Sequence, residues 1–366
     1  MDNVARLVSI IPKKVANFGS NISILSQFWF LIIMLTFFTA KVGVRGILPW
    51  GDFSPVANFP RPTESFSTNS IGLVVISKIL NLNDKHSFFI MNLILITVLI
   101  LLLYKRIKKD YDPLLTKILI ILFLGSPIFT LLLGNVGRHD TLTIFGILFF
   151  FASKSQIGCV GSILLGCLGS PEHLFAGLLL ALICAYSLAP TSYKRKISKA
   201  LLLNTLYLSA VTLWAQIYSD GQTRFNYILP YAHLAIRNFL NNGFLEWYSY
   251  FGYLWIVLVY IFINFQKKEK IVIGIVFIFA ATFNILMVDK TRDFVIAILP
   301  TVMIILQLKF WPYLKKISNL EIQNQNKILG AIAVFVCLSP QIEITFEGVP
   351  RAPWQWFITK IMEALS

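Results

Sequence analysis

Residues 87–104, SFFIMNLILITVLILLLY, run for eighteen positions without a charged side chain, and KRIKK follows at once at 105–109. A helix needs roughly 20 apolar residues to cross the hydrocarbon core of a bilayer, and a basic flank is typical of its cytoplasmic end. This stretch therefore predicts a transmembrane helix that ends in the cytoplasm. Ten further apolar runs lie near 25–42, 115–134, 141–153, 157–168, 172–188, 200–217, 249–265, 271–287, 293–308 and 328–342.

The composition indicates that lipid is the solvent of this chain. Of its 366 residues, 57% are hydrophobic and 13% are charged, whereas a soluble domain has about 25% charged residues. The net charge of +15 would suit nucleic acid in a soluble protein. Here the basic residues form short clusters between apolar runs, so they are expected to orient helices and contact membrane lipids, and no nucleic-acid partner is predicted.

The basic clusters decide the predicted topology. They occur at 6–14, 105–109, 194–199, 267–270 and 309–316. All five fall on one side only if 141–168 contains two short spans joined by a tight turn at Lys154–Gln156, rather than one broken span. The positive-inside rule favours two spans. The predicted fold is an all-α, polytopic transmembrane bundle of about 11 spans in the cell membrane (inner or plasma membrane), with a cytoplasmic N-terminus and an extracytoplasmic C-terminus.

We expect a single transmembrane domain over 1–366 with four distinct segments outside its spans. Residues 1–20 resemble a basic amphipathic helix on the inner leaflet, and 350–366 an amphipathic helix on the outer surface. Residues 43–86 form a first extracytoplasmic loop with an interfacial helix at 71–82. Residues 218–248 form a second long extracytoplasmic loop. Lys41 and Lys117 lie near span ends, where lysines can snorkel.

The predicted topology places twelve of the 17 acidic residues on the extracytoplasmic side, so the polar outer loops are the candidate site. In the loop 134–140, GNVGRHD, Arg138 suits a phosphate and His139 suits a proton donor. Asp140 is a further catalytic candidate, although it could simply cap a helix that starts at Thr141.

Two more outer loops carry unusual charges. In 169–173, GSPEH, Pro171 and Glu172 are good helix-start residues, whereas His173 begins an apolar run without such a reason, so Glu172 and His173 are catalytic candidates. The short hairpin 141–168 should bring this loop close to Arg138, His139 and Asp140. In 289–293, DKTRD, Lys290 and Arg292 suit a diphosphate and Asp289 a substrate contact, although a solvated hairpin is the alternative.

The two long outer loops supply weaker candidates. Asp52 follows Gly51 in the first loop, where it could be a general base, a metal ligand or only a turn former. The remaining substrate-binding candidates are Arg61, Glu64, Arg224 and Tyr231.

Several other sequence features do not indicate a functional site. Asp110-Tyr111-Asp112 spells D-x-D, but it follows a cytoplasmic basic cluster and precedes Pro113, which indicates a turn. The four cysteines lie in apolar runs without a C-x-x-C pair, so neither zinc nor a disulfide framework is expected. The sequence contains no P-loop, G-x-G-x-x-G, H-E-x-x-H or G-x-S-x-G motif.

An acidic first outer loop followed by outer loops rich in Arg, His and Asp resembles the GT-C superfamily of membrane glycosyltransferases. The GRHD, PEH and DKTRD loops also look like those of O-antigen-type polysaccharide polymerases. The resemblance implies glycosyl transfer outside the cytoplasm from a polyprenyl-phosphate-linked sugar or oligosaccharide. It makes Asp52 the base or metal ligand, with a divalent cation as the cofactor left open. The acid pair common in that family is missing, because Gly51 and Phe53 flank Asp52.

Two other classes of function are alternatives to glycosyl transfer. A secondary transporter or lipid-linked glycan flippase would place charges near the bilayer midplane and often shows internal repeats, neither of which is evident here. A non-catalytic scaffold for envelope-assembly proteins would tolerate charge substitutions in the outer loops.

Overall fold

The computed structural model describes residues 11–44, 70–82, 84–218, 232–285 and 290–343. These residues form sixteen α-helices and no strand. In chain order they are α1 Lys13–Ile24, α2 Gln27–Val42, α3 Gly72–Ile79, α4 Lys85–Asp110, α5 Pro113–Leu124, α6 Pro127–Gly134, α7 Asp140–Ala152, α8 Gln156–Gly169, α9 Pro171–Leu188, α10 Thr191–Tyr218, α11 Ala232–Phe251, α12 Leu254–Ile263, α13 Lys267–Ile285, α14 Lys290–Ile305, α15 Trp311–Ser318 and α16 Ile322–Leu338. A π-helical turn, Leu306–Phe310, joins α14 to α15.

Local sequence signals explain several helix boundaries. The Asp84 side chain accepts hydrogen bonds from the backbone of His86 and Ser87, both at 2.9 Å, and so caps the start of α4. Asp112 caps α5 in the same way, through the Leu115 amide at 3.0 Å, and Pro113 occupies the first helical position. The D-x-D sequence is therefore used as a helix boundary, as the sequence predicts.

The all-helical class is confirmed, and several helices fit a membrane. Four described helices are long and apolar enough to cross a bilayer: His86–Asp110, Pro171–Leu188, Thr191–Trp214 and Thr291–Phe310. The number rises to seven if each of three sharply bent helix pairs counts as one span. The described residues thus give four to seven candidate spans where the sequence predicts eleven, and the count of eleven stays a prediction.

Breaks inside apolar runs account for part of this difference. The run 249–265 is divided at Gly252, whose φ of 54° ends α11, and α12 leaves at 82°. The run 115–134 bends by 54° between Leu124 and Pro127, because proline cannot continue the hydrogen-bond ladder of the preceding helix. The predicted outer loop 218–248 also contains a helix from Ala232 onward, α11.

The predicted hairpin at 141–168 is present as α7 and α8, which pack closely against each other. A Cβ atom on Gly146 would lie 2.6 Å from the Gly166 backbone, so the two helices approach at glycine. Nearly every residue of α7 is buried, including Phe145 and Phe150, which makes it the central helix of the bundle. With 13 and 14 residues, α7 and α8 are about 20 Å long, short of the ~30 Å hydrocarbon core.

Four of the basic clusters lie at one end of the bundle, which we call the basic end. Lys154 in the α7–α8 turn contacts Asp110 at the end of α4 at 2.9 Å, and Lys309 contacts Glu269 at 2.7 Å. Tyr193 near the start of α10 donates to Gln307 at 2.7 Å and links the two groups. Four of the basic clusters from which the topology is predicted therefore lie together at the basic end of the folded bundle.

Two buried lysines hold together helices that are far apart in the chain. Lys41 of α2 donates to the carbonyls of Val336, Cys337 and Ser339 at the end of α16, with distances of 3.3, 2.8 and 2.6 Å. Lys117 of α5 donates to the Ile22 and Ser23 carbonyls of α1 at 3.2 and 2.6 Å. Both lysines are 4% exposed, so each caps a helix C-terminus, and the prediction that they snorkel is wrong.

Helices α1 and α16 cross at a pair of glycines, and this contact gives a testable prediction. A Cβ atom on Gly330 would lie 2.4 Å from the Val15 carbonyl and 2.9 Å from Gly19. We expect Gly330→Val to destabilise the protein by about 1–3 kcal/mol, because overpacking forces the helices apart. Thermal unfolding in detergent measures the loss. The matched control is Gly274→Val, since nothing lies within 4 Å of a Cβ there. Equal losses in both variants would contradict the close crossing.

Candidate functional site

The first turns of three helices meet at the end of the bundle opposite the basic end. Helix α7 begins at Asp140, α9 at Pro171 and α14 at Lys290. The α7–α8 hairpin returns the chain to its starting level, so the GRHD and GSPEH segments become neighbours, as the sequence predicts. The start of α14 joins them. We call His139, Asp140, His173, Arg292 and Asp293 the charged cluster.

His173 lies between two carboxylates. Its Nδ1 atom is 3.3 Å from Oδ1 of Asp140, and its Nε2 atom is 3.2 Å from Oδ1 of Asp293. The Ser170 hydroxyl is 2.9 Å from the same Nδ1 atom. Only the imidazolium carries a proton on both ring nitrogens, so these contacts suit the charged form of His173.

Arg292 supplies the second positive charge of the cluster. Its Nη1 atom is 3.5 Å from Oδ2 of Asp140, and its Nε atom donates to Oδ1 of Asp293 at 3.3 Å. His139 approaches Asp140 from another side, with Nε2 at 3.9 Å from Oδ1. The guanidinium therefore bridges the two carboxylates in parallel with His173.

The cluster is buried, which strengthens its internal interactions. His139, Asp140 and Asp293 are 6%, 4% and 8% exposed. Burial alone would raise the pKa of Asp140, but the charges of Arg292 and the two histidines outweigh it and hold this pKa well below its usual range. Asp140 is therefore ionised at neutral pH, and the stability from its pairing is lost only as the pH falls through that depressed pKa.

A backbone framework holds the GSPEH segment against α7. The Ser170 amide donates to the Thr143 hydroxyl at 2.6 Å, and that hydroxyl donates to the Gly166 carbonyl at 3.1 Å. A Cβ atom on Gly169 would lie 2.4 Å from Thr143 Oγ1 and 2.6 Å from the His139 carbonyl. Gly169 thus permits the close approach that places His173 next to Asp140.

A second buried polar group lies beside the start of α14. Tyr250 donates to Glu246 Oε1 at 2.5 Å, and the Asn284 amide donates to the Tyr250 hydroxyl at 2.6 Å. The hydroxyls of Ser249 and Thr291 are 2.7 Å apart, which ties α11 to α14 directly before Arg292. Sequence reasoning missed Glu246. The available signal was an acidic residue within the aromatic stretch 244–251.

Comparison with known proteins identifies no relative of this chain. No protein-family model, curated protein or solved structure matches the sequence.

The structure places the other predicted site residues as follows. Arg138 is half-buried in the turn before α7, two residues from Asp140. Glu172 lies in the first turn of α9 and is half-buried. Lys290 begins α14, and its side chain is not among those described. The candidates that lie outside the described residues are Asp52, Arg61, Glu64, Arg224, Tyr231 and Asp289.

Two alternatives considered for these loops are wrong. Helix α7 begins at Asp140 rather than Thr141, and no side-chain cap is made at its start. Asp140 is instead paired within the cluster. The solvated-hairpin alternative for 289–293 also fails for Arg292 and Asp293, because both are largely buried. Asp293 is the one member of the cluster that the sequence analysis did not select.

Metal binding finds no support in the described part of the chain. There, no group of three or more His, Cys, Asp or Glu side chains is arranged to hold a metal ion. Within the cluster, Asp140 and Asp293 are instead paired with Arg292 and His173. The metal role considered for Asp52 concerns a residue outside the described ranges.

Proposed function

We propose that this protein transfers glycosyl groups from a polyprenyl-phosphate-linked sugar or oligosaccharide on the extracytoplasmic side of the cell membrane. In this proposal the charged cluster faces outward and the basic end lies in the cytoplasm, in accordance with the positive-inside rule. One observation carries the proposal: three outer loops selected for their charges converge on His173, with carboxylates near both of its ring nitrogens.

The cluster supplies the chemical groups that such a transfer needs. A lipid-linked donor leaves as a phosphate or diphosphate, and arginine offers a planar set of donors that matches it. Arg292 and Arg138 are the proposed phosphate contacts. The histidine between two carboxylates is the proposed proton donor to the leaving oxygen. Asp52 remains the proposed base that activates the acceptor.

The position of the cluster favours transfer over transport. Transporters place their polar sites near the bilayer midplane. Here His139, Asp140 and Pro171 lie at or before helix starts, so the charges gather at one end of the bundle. A donor that diffuses within the leaflet presents its phosphate at that depth.

We expect that cells lacking the gene accumulate unused lipid-linked glycan, and that the wild-type gene restores its consumption. Asp140→Asn should fail to restore it, because this change removes the carboxylate that holds both His173 and Arg292. Mass spectrometry of extracted lipid-linked glycans measures the outcome. His86→Gln is the control, since His86 is exposed near the start of α4, at the same end of the bundle.

Three results would contradict the proposal. If correctly expressed Asp140→Asn restores consumption of the glycan, the charged cluster takes no part in catalysis. If the amount of lipid-linked glycan is unchanged in the deletion strain, this class of substrate is excluded. Accumulation of the glycan on the cytoplasmic leaflet alone would instead support a flippase.

A further inference from the structure

A cavity of about 930 Å³ lies at the basic end of the bundle, away from the charged cluster. Its volume is at the upper end of the roughly 300–1,000 Å³ typical of pockets for organic ligands. The deep part is apolar, with Leu103, Leu119, Leu254, Leu299 and Met303 among its lining residues. The lining also includes residues from the α7–α8 turn and from the first turns of α10. The interior is therefore suited to a hydrocarbon chain.

The wall contributed by α10 carries positive charge. Arg195 and Lys199 line the cavity, are exposed, and lie one helical turn apart on the same face of α10. Their neighbour Lys196 donates to the carbonyls of Phe150 and Ser153 at 2.8 and 3.1 Å. Lys154, a fourth cation in the lining, is paired with Asp110 at 2.9 Å. Arg195 and Lys199 make no ion pair with any described residue, so their charges are available to a ligand that enters the cavity.

The position of this wall distinguishes a lipid from a soluble anion. Helix α10 is a candidate span from Thr191 to Trp214. At 1.5 Å per residue, Arg195 and Lys199 lie within about 12 Å of its start, near the depth of lipid headgroups. A phosphate there would join an apolar chain below it, as in a phospholipid.

One segment that lines this cavity departs from regular α-helical geometry. The π-helical turn Leu306–Phe310 contributes Gln307 to the lining, and Gln307 accepts from Tyr193 and donates to the Phe151 carbonyl at 3.1 Å. π-helical turns inside α-helices are often found at functional sites. The turn directly follows α14 and also contributes Leu306 and Phe310 to the lining.

We propose that this cavity binds an anionic phospholipid, with its phosphate at Arg195 and Lys199 and an acyl chain in the apolar interior. The site is separate from the charged cluster and does not depend on the glycosyl-transfer proposal. Two cations that make no ion pair among the described residues, beside a lipid-sized apolar cavity, are the charge complement of such a lipid.

Native mass spectrometry of the full-length protein tests this site, with phosphatidylglycerol and phosphatidylcholine as the two probes. We expect phosphatidylglycerol to bind at least roughly tenfold more tightly, and Arg195→Ala/Lys199→Ala to remove this preference. Lys267→Ala/Lys268→Ala is the matched control, because it removes two exposed charges from the same end outside the cavity. Equal binding of the two lipids, or equal loss in both double variants, would overturn the proposal.

The cysteines of the wild-type protein give a second measurement. Cys159 lines the cavity, whereas Cys337 is also partly exposed but does not. Phosphatidylglycerol should slow the alkylation of Cys159 by N-ethylmaleimide several-fold and leave Cys337 unchanged, as measured by peptide mass spectrometry. Protection of both thiols, or of neither, would show that the lipid does not occupy this cavity.

Discussion

Replacement of Arg292 by methionine should destabilise the protein by about 3–5 kcal/mol, because removal of one partner leaves a buried charge uncompensated. Asp140 and Asp293, the two carboxylates that Arg292 contacts at 3.5 and 3.3 Å, are both buried. The glycosyl transfer proposed above should be lost as well. Thermal unfolding in detergent gives the stability change, and turnover of lipid-linked glycan in membrane vesicles gives the activity.

Two companion variants make this prediction specific. Arg237→Met removes an exposed arginine from α11 and should change stability little. Asp140→Asn placed in the Arg292→Met background should recover part of the lost stability, because it removes the excess negative charge that the loss of Arg292 leaves in the cluster. If Arg292→Met unfolds no more readily than Arg237→Met, the buried network does not exist as described.

His173→Gln should lower glycosyl transfer by about 100-fold or more, the usual scale for loss of a positioned proton donor. Glutamine keeps a hydrogen-bonding amide but cannot carry the positive charge that suits Asp140 and Asp293. The rate should therefore fall much more than the stability. Turnover of lipid-linked glycan, measured across a range of pH, is the readout.

The pH profile separates a proton donor from a structural residue. Wild-type protein should lose activity as His173 loses its proton, whereas the residual activity of His173→Gln should lack that limb. His86→Gln should retain the wild-type profile, since His86 is exposed and outside the cluster. A wild-type rate and profile in His173→Gln would exclude this residue as the donor.

Part of this organisation was predictable because it follows from short sequence ranges. The length of 87–104 predicts helix α4, and the short spacing of 141–168 predicts a hairpin that returns His173 to the level of Asp140. The basic clusters predict a common side, and four of the five lie together at the basic end, as the contacts of Lys154 and Lys309 indicate. Each inference needs only the helical rise and the sign of a charge.

The remaining features depend on contacts between distant residues. Asp293 could be recognised as a partner only once α14 was known to pack beside α9, where a Cβ atom on Gly177 would lie 3.0 Å from Pro300. The helix break at Gly252 could not be predicted from the sequence, because the apolar run continues through it. The cavity at the basic end is equally invisible, because its wall is assembled from α4, α5, α10 and α14.

The lysine caps described above constrain how the protein can be made. Lys41 and the carbonyl of Val336 are 295 positions apart, and α1 packs against α16 through Gly19 and Gly330. A ribosome releases α1 and α2 long before α16 exists. During that interval the ammonium group of Lys41 cannot reach its final acceptors and must be accommodated by water, lipid headgroups or the insertion machinery. Synthesis of α16 is therefore the step that first supplies the carbonyl acceptors of Lys41.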